Sequence, residues 1–220
     1  YDELNNLCEK FNVKIIEDAA EALGSNYKKK KLGSFGCMSI LSFNGNKIIT
    51  TSGGGMLLSD NIDYVDKAKF LSSQAREKKI YYEHKELGFN YRMSNLLAGI
   101  GRGQLLSIDE FVKKRRKIFK RYFKQLSIID GFNFLVEPYY SKSNRWLTTL
   151  TLDKRKTGID RNQIIRLLEE ENIESRPVWK PMHLQPLYKD YDYITKKNQD
   201  ISGELFNNGL YSAKGTKNIL

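Results

Sequence analysis

The stretch from Tyr1 to Asp18 constrains this chain most. Leu4, Leu7, Cys8 and Phe11 recur at helical spacing through a charged segment. Directly after it, Val13 to Ile16 makes a short, apolar, β-branched run that ends at Glu17-Asp18. An amphipathic helix feeding a buried strand with acids at its carboxyl end predicts an α/β layer. Ligands of such layers gather beyond the carboxyl ends of the strands, which is where Asp18 falls.

The same alternation continues downstream. Strands are expected at Met38–Phe43 and, after Gly53-Gly54-Gly55, at Gly55–Ser59. A helix from about residue 62 to 73 and a polar loop to about residue 88 follow. SNLLAGIGRGQLL (94–106) spaces small and apolar residues as a tightly packed helix does, in spite of its glycines. The helix at 107–126 sets Phe111, Ile118, Phe119, Tyr122 and Leu126 against a face of Lys113 to Lys117, Lys120 and Arg121. After Gly131 the pattern changes. Trp146 to Leu152 alternates as a strand, Asp160 with Gln163 makes a capping box for a helix, and Ile173 opens another strand. Three parts are expected: a larger unit over 1–106, a connecting helix over 107–130 and a smaller α+β unit over 131–220.

Composition narrows the function classes. The chain has 220 residues, 40% of them hydrophobic, as suits a globular protein and not a disordered one. No apolar run approaches the ~20 residues that span a bilayer. Cys8 and Cys37 form no metal or redox pattern, which makes a reduced cytoplasmic setting the expectation, and His84 and His183 suggest no metal site. A net charge of +11 favours anionic partners, either nucleic acid or a nucleotide-linked or phosphorylated metabolite. Runs such as YKKKK (27–31) and EKK (77–79) are read as solvated surface.

Chemistry concentrates on two residues. Lys47 lies in SFNGNKIITTSGGG, after a buried strand and before Ile48-Ile49. Burial favours the neutral amine, and a neutral amine forms Schiff bases; the alternative is a lysine that snorkels to the surface. Asp18 supplies a carboxylate at a neighbouring strand end, suited to keep a pyridine nitrogen protonated. Taken alone, Asp18 also reads as a helix N-cap before Ala19-Ala20-Glu21.

Four blocks in order, IIEDAAEALGS (15–25), GSFGCMSILSFNGNK (33–47), the glycine run with Met56, and GFNYRMSNLLAGIGRGQL (88–105), resemble the DegT/DnrJ/EryC1/StrS nucleotide-sugar aminotransferases. FNGNK and SRPVWKPMHLQP (175–186) are most similar to the UDP-bacillosamine-type 4-aminotransferases. The resemblance covers nearly the whole chain. It implies the α/β architecture of fold type I pyridoxal-phosphate enzymes, with a large domain incomplete at its N-terminus and a smaller α+β domain.

Residue by residue, the resemblance implies that Lys47 carries pyridoxal 5'-phosphate and moves the proton. Asp18 would pair with the ring nitrogen and Ser42 would donate to the phosphate. Asn90 would reach the phosphate of a neighbouring subunit, which makes a homodimer the working unit. Ser42 also reads as a strand hydroxyl, and Asn90 as a turn residue. Glu21 departs from the Gln or His of many relatives and must be protonated or turned away from a phenolate oxygen. Arg176, Lys180 and His183 are candidates for substrate contact, Arg and Lys suiting a diphosphate; the alternative is a structural loop.

The activity implied is transfer of an amino group, with glutamate as donor, to the 4-keto group of a UDP-linked 6-deoxy sugar in bacterial glycan synthesis. Lys47 argues against the dehydratase relatives that carry His there. The chain begins without Met and stops in SAKGTKNIL, so a fragment is expected, lacking the segments that stack on the cofactor and cradle its phosphate in relatives. Two other readings stay open: a non-catalytic remnant, and a nucleic-acid binder using the basic helix at 113–121. The last is disfavoured, because that helix has a full apolar stripe and no stacking platform.

Overall fold

The computed structural model describes residues 1–195 and 198–212. The end of the SAKGTKNIL segment, beyond Ser212, lies outside them. Two compact units divide the chain, one of Tyr1–Lys113 with Glu137–Trp146, the other of Lys114–Val136 with the residues from Leu147 onward. Residues 137–146 therefore belong to the first unit, whereas the sequence pattern groups everything after Gly131 with the second.

In the first unit, helix α1 (Asp2–Lys10) opens with acids and closes with Lys10, each matched to the helix dipole. Leu4, Leu7 and Phe11 of its apolar stripe are exposed. Strand β1 covers Ile16–Asp18, starting later than Val13. The reason is local: the Val13 N–H donates to Cys8 O and closes the helix, with Asn12 at positive φ. The YKKKK run is a hairpin, β2 (Asn26–Tyr27) and β3 (Lys30–Lys31), turned by Lys28 and Lys29 at φ of 46° and 68°. Two positive φ values in sequence are what a tight hairpin turn requires.

Strands β4 (Met38–Ser42) and β5 (Gly55–Leu58) complete a sheet of order β1-β4-β5. The β1 and β4 strands run parallel, with Asp18 opposite Ile40, while β4 and β5 are antiparallel with Ser42 opposite Gly55. Helix α2 (Ile62–Ser72) is capped by the Asn61 side chain and α3 (Asn95–Leu105) by Ser94. The glycines of α3 are partly explained by packing. A Cβ on Gly101 would lie 2.9 Å from Thr51 Cγ2, so a small residue lets α3 approach the loop after Lys47. Strand β7 (Ser141–Lys142) returns to pair with β2. Ala19, Phe43, Ile49, Ala75, Val112 and Trp146 are the buried apolar side chains of this unit.

Helix α4 (Ile108–Leu126) carries the chain from the first unit into the second. Phe119 and Phe123 meet Phe134 of β6 (Phe132–Phe134) edge-on, at 5.9 and 5.6 Å between ring centroids. Strand β8 (Thr148–Leu152) begins two residues later than the alternation suggests. After the short helix α5 (Lys154–Thr157), α6 (Arg161–Glu170) starts in a capping box of Asp160 with Gln163, as expected. The last strand expected from Ile173 is β9 (Ser175–Pro177). Helix α7 (Ile201–Asn208) and β10 (Gly209–Ser212) complete an antiparallel sheet of order β6-β8-β10-β9. No described helix is long and apolar enough to cross a membrane.

Candidate active site

The site is built from two strand ends and one loop. Residues alternate faces along a strand, so Asp18, its partner Ile40 and then Ser42 share one face of the sheet at the carboxyl ends of β1 and β4. Asp18 is exposed, and its Oδ1 accepts a hydrogen bond from Ala20 N at 3.1 Å. It caps a turn over residues 20–24, so the helix N-cap alternative does not apply. Ser42 Oγ accepts a long hydrogen bond from Asn44 N, 3.4 Å.

Glu17, facing the opposite side of β1, is the buried acid. Its carboxylate accepts from Gly33 N at 2.7 Å, Phe35 N at 3.0 Å and the Tyr1 hydroxyl at 2.8 Å. Burial by itself would raise its pKa, but the Gly33 and Phe35 N–H groups and the Tyr1 hydroxyl outweigh burial and hold it below the ordinary value. Burial and the neighbouring Glu17 push the Tyr1 phenol up to about 12. Glu17 thus fastens the GSFG loop against β1 and leaves Asp18 as the acid on the open face.

Lys47 sits in a loop tied at its base. Thr51 N donates to Phe43 O at 2.9 Å and Phe43 N to Gly54 O at 3.0 Å, while the Gln104 amide from α3 clamps both the N–H and C=O of Thr50. The Lys47 side chain is only 13% exposed. Its ammonium donates to Glu21 Oε1 at 3.1 Å and rests 4.2 Å from the centroid of the Trp146 ring. Glu21 is turned toward the amine and its side chain is 53% exposed.

Lys47, Glu21, Asp18 and Ser42 all belong to the first unit. So does Asn90, which is exposed on a segment braced against the end of α2: Phe89 N donates to Leu71 O at 2.7 Å and Tyr91 N to Ser72 O at 3.0 Å. Gly88 is required there, since a Cβ would fall 2.2 Å from the Gln74 carbonyl carbon.

The other three candidates lie in the second unit. Arg176 is exposed and paired with Glu174 at 2.9 Å. Lys180 is exposed, its carbonyl accepting from Gln185. His183 is engaged locally: Nε2 lies 3.0 Å from Asp200 Oδ2, and its ring stacks on Tyr193 at 3.6 Å and 3°. Asp200 is the N-cap of α7, so His183 braces that cap.

The sequence pattern did not single out Trp146, Asn144 or Gln104 for the site. The only signal for Trp146 was a tryptophan, one of two in the chain, just ahead of a strand. The ring's partner lies about a hundred residues upstream and leaves no local trace.

The folded chain is an α/β unit with a carboxylate and a hydroxyl at strand ends and a shielded lysine on the loop after β4, followed by a smaller α+β unit, which is the architecture of fold type I pyridoxal-phosphate sugar aminotransferases. Its fold matches Helicobacter pylori PseC, an aminotransferase involved in the biosynthesis of pseudoaminic acid, with a TM-score of 0.86 and 24% identity over 96% of this chain and 57% of that one. The chain belongs to the DegT/DnrJ/EryC1/StrS aminotransferase family, whose model it matches over residues 1–216. It is 50% identical over 216 residues to EpsN of Bacillus subtilis, which carries the name of a pyridoxal phosphate-dependent aminotransferase; the match covers 98% of this chain and 55% of EpsN. It is 37% identical over 190 residues to the GDP-perosamine synthase of Caulobacter vibrioides, covering 85% of this chain and 50% of that protein. The chain thus spans about half the length of the curated relatives it matches.

Proposed function

We propose that this chain holds the lysine side of a pyridoxal-phosphate site that aminates a nucleotide-linked 4-keto-6-deoxy sugar. The observation that carries the proposal is the setting of Lys47: a largely shielded ammonium in a loop braced by Gln104, one salt bridge from Glu21. The donor set suits the cofactor. Lys47 offers an amine, Asp18 a carboxylate on the open face of the sheet, and Ser42 a hydroxyl on the same face. Bound there, pyridoxal phosphate supplies the electron sink that the side chains lack.

The chain's own residues then divide the work. Lys47 Nζ would hold the cofactor, and its free amine would move the proton. The Asp18 carboxylate keeps the ring nitrogen protonated. Glu21 Oε1 takes the Lys47 ammonium, so its charge is directed at the amine and away from a phenolate. Arg176 and Lys180 are the cations for a sugar-linked diphosphate, Arg by its fork and Lys as a point charge. His183 is our third candidate for substrate contact, its ring held by Asp200 and Tyr193. A UDP-linked sugar remains our reading from FNGNK and SRPVWKPMHLQP, and glutamate as donor our reading from the family resemblance. Asn90 serves a second copy's phosphate in a homodimer, a role in keeping with its exposed, braced position.

The test is to incubate the protein with pyridoxal phosphate, reduce with borohydride and locate the modified lysine by peptide mass spectrometry. Label should concentrate at Lys47 and disappear in Lys47→Ala. Label scattered over surface lysines of the folded chain would sink the proposal. Offering UDP- and GDP-linked keto sugars in parallel then decides the nucleotide.

A further inference from the structure

Residues 143–146 form a strap that closes over the two turns carrying Glu21 and Lys47. Asn144 is 97% buried by its exposure of 3%. Its amide nitrogen donates to Glu21 O at 2.8 Å and Leu23 O at 3.0 Å, while its backbone N–H donates to Ser25 Oγ at 2.9 Å. Its side-chain oxygen accepts from Trp146 N at 2.9 Å. Trp146, 5% exposed, sends its indole N–H to Asn46 O, the residue before Lys47. One short segment therefore sets the backbone of the Glu21 turn, the backbone beside Lys47 and an aromatic face against the Lys47 ammonium. A partly exposed salt bridge alone holds a lysine weakly. A tryptophan held by its indole N–H on Asn46 O and its backbone N–H on Asn144 Oδ1 adds a second, directional restraint.

We propose that Trp146 is a positioning residue for Lys47: its ring is the platform on which the amine rests whenever it is not covalently engaged, and Asn144 anchors that platform to the Glu21 turn. The functional meaning rests on the reading of Lys47 as the cofactor lysine. In an enzyme of that kind the lysine is released once per half-reaction and must return to one place. A flexible four-carbon stem without a resting site would sample many. The indole supplies that site at the cost of no additional charge, so the Glu21 carboxylate stays the only acid the ammonium meets among the contacts described.

The experiment avoids the cofactor. Trace acetylation with acetic anhydride, quantified per lysine by peptide mass spectrometry, compares Lys47 with the other lysines of the same chain. Trp146→Phe keeps an aromatic face and loses the N–H, so Lys47 labelling should stay near the unsubstituted chain. Trp146→Leu loses the face, and Lys47 labelling should rise about three- to tenfold relative to the other lysines, the range a cation–π contact of this kind spans. Labelling unchanged in Trp146→Leu, or raised equally in Trp146→Phe, overturns the proposal. A second measurement guards against a Leu variant that does not fold. In a Trp179→Phe background the emission of Trp146 should change on Lys47→Met, and an unchanged emission again overturns the proposal. If these readouts hold but borohydride trapping at Lys47 fails, the cofactor reading falls and the platform stands; the reverse pattern removes the platform alone.

Discussion

Glu17 and Asp18 are adjacent acids with opposite fates, decided by the pleat of β1. Glu17 turns inward to three donors, and Asp18 turns outward to the open face. Because Glu17 has a pKa below the ordinary 4.5, its contribution to stability is fully present above about that pH and is lost as pH falls through the lower folded value. Glu17→Gln replaces a double acceptor with a group that points N–H at N–H. It should destabilise the first unit by about 1–3 kcal/mol near neutrality, with the difference shrinking in acid. Urea unfolding at several pH values checks both; a loss that is flat with pH would contradict the assignment of Glu17 as the ionised keystone. Gly36 next to this cradle admits no side chain, since a Cβ would lie 2.6 Å from Ile15 O.

At the scale of elements, α2, α3, α5, α6 and α7 start where a side chain satisfies a first-turn N–H group. Asp160 Oδ1 accepts from Gln163 N at 3.0 Å while Gln163 Oε1 accepts from Asp160 N at 2.8 Å, a reciprocal pair at the head of α6. Asp160→Ala should cost about 1 kcal/mol, read as a lower denaturation midpoint with an unchanged slope. Asp200 does the same for α7 through Gly203 N, and there His183, Tyr193 and Ser202 also converge on the carboxylate. Its pKa is held down chiefly by the Gly203 N–H and then by His183. The Asp160 cap was legible in the sequence, because Asp160 and Gln163 stand three residues apart and each can satisfy the other. The role of His183 was not, because its partner stands seventeen residues further on and the connection depends on the fold of the segment between them.

For the molecule as a whole, the first unit leaves large apolar side chains in water. Ile80, Leu87, Tyr91 and Leu96 are each at least 75% exposed, and Ile100 is half exposed one turn beyond Leu96 on α3. The homodimer reading predicts that a second copy covers them. Covering a Leu side chain contributes about 1.5–3 kcal/mol, so Leu96→Glu should weaken self-association about tenfold or more, measured by light scattering across concentrations. A chain that is monomeric at every concentration would remove the homodimer and, with it, the role given to Asn90.

The α/β class, the strands opening at Met38 and Gly55 and the Asp160 capping box followed from the sequence alone. Each rests on contacts within a few residues, where periodicity and hydrogen-bonding capacity act directly. Tertiary structure decided the rest. It drew residues 137–146 into the first unit and laid Trp146 on Lys47. Those outcomes depend on groups distant in sequence competing for the same buried space, and a linear pattern carries no record of which of them wins.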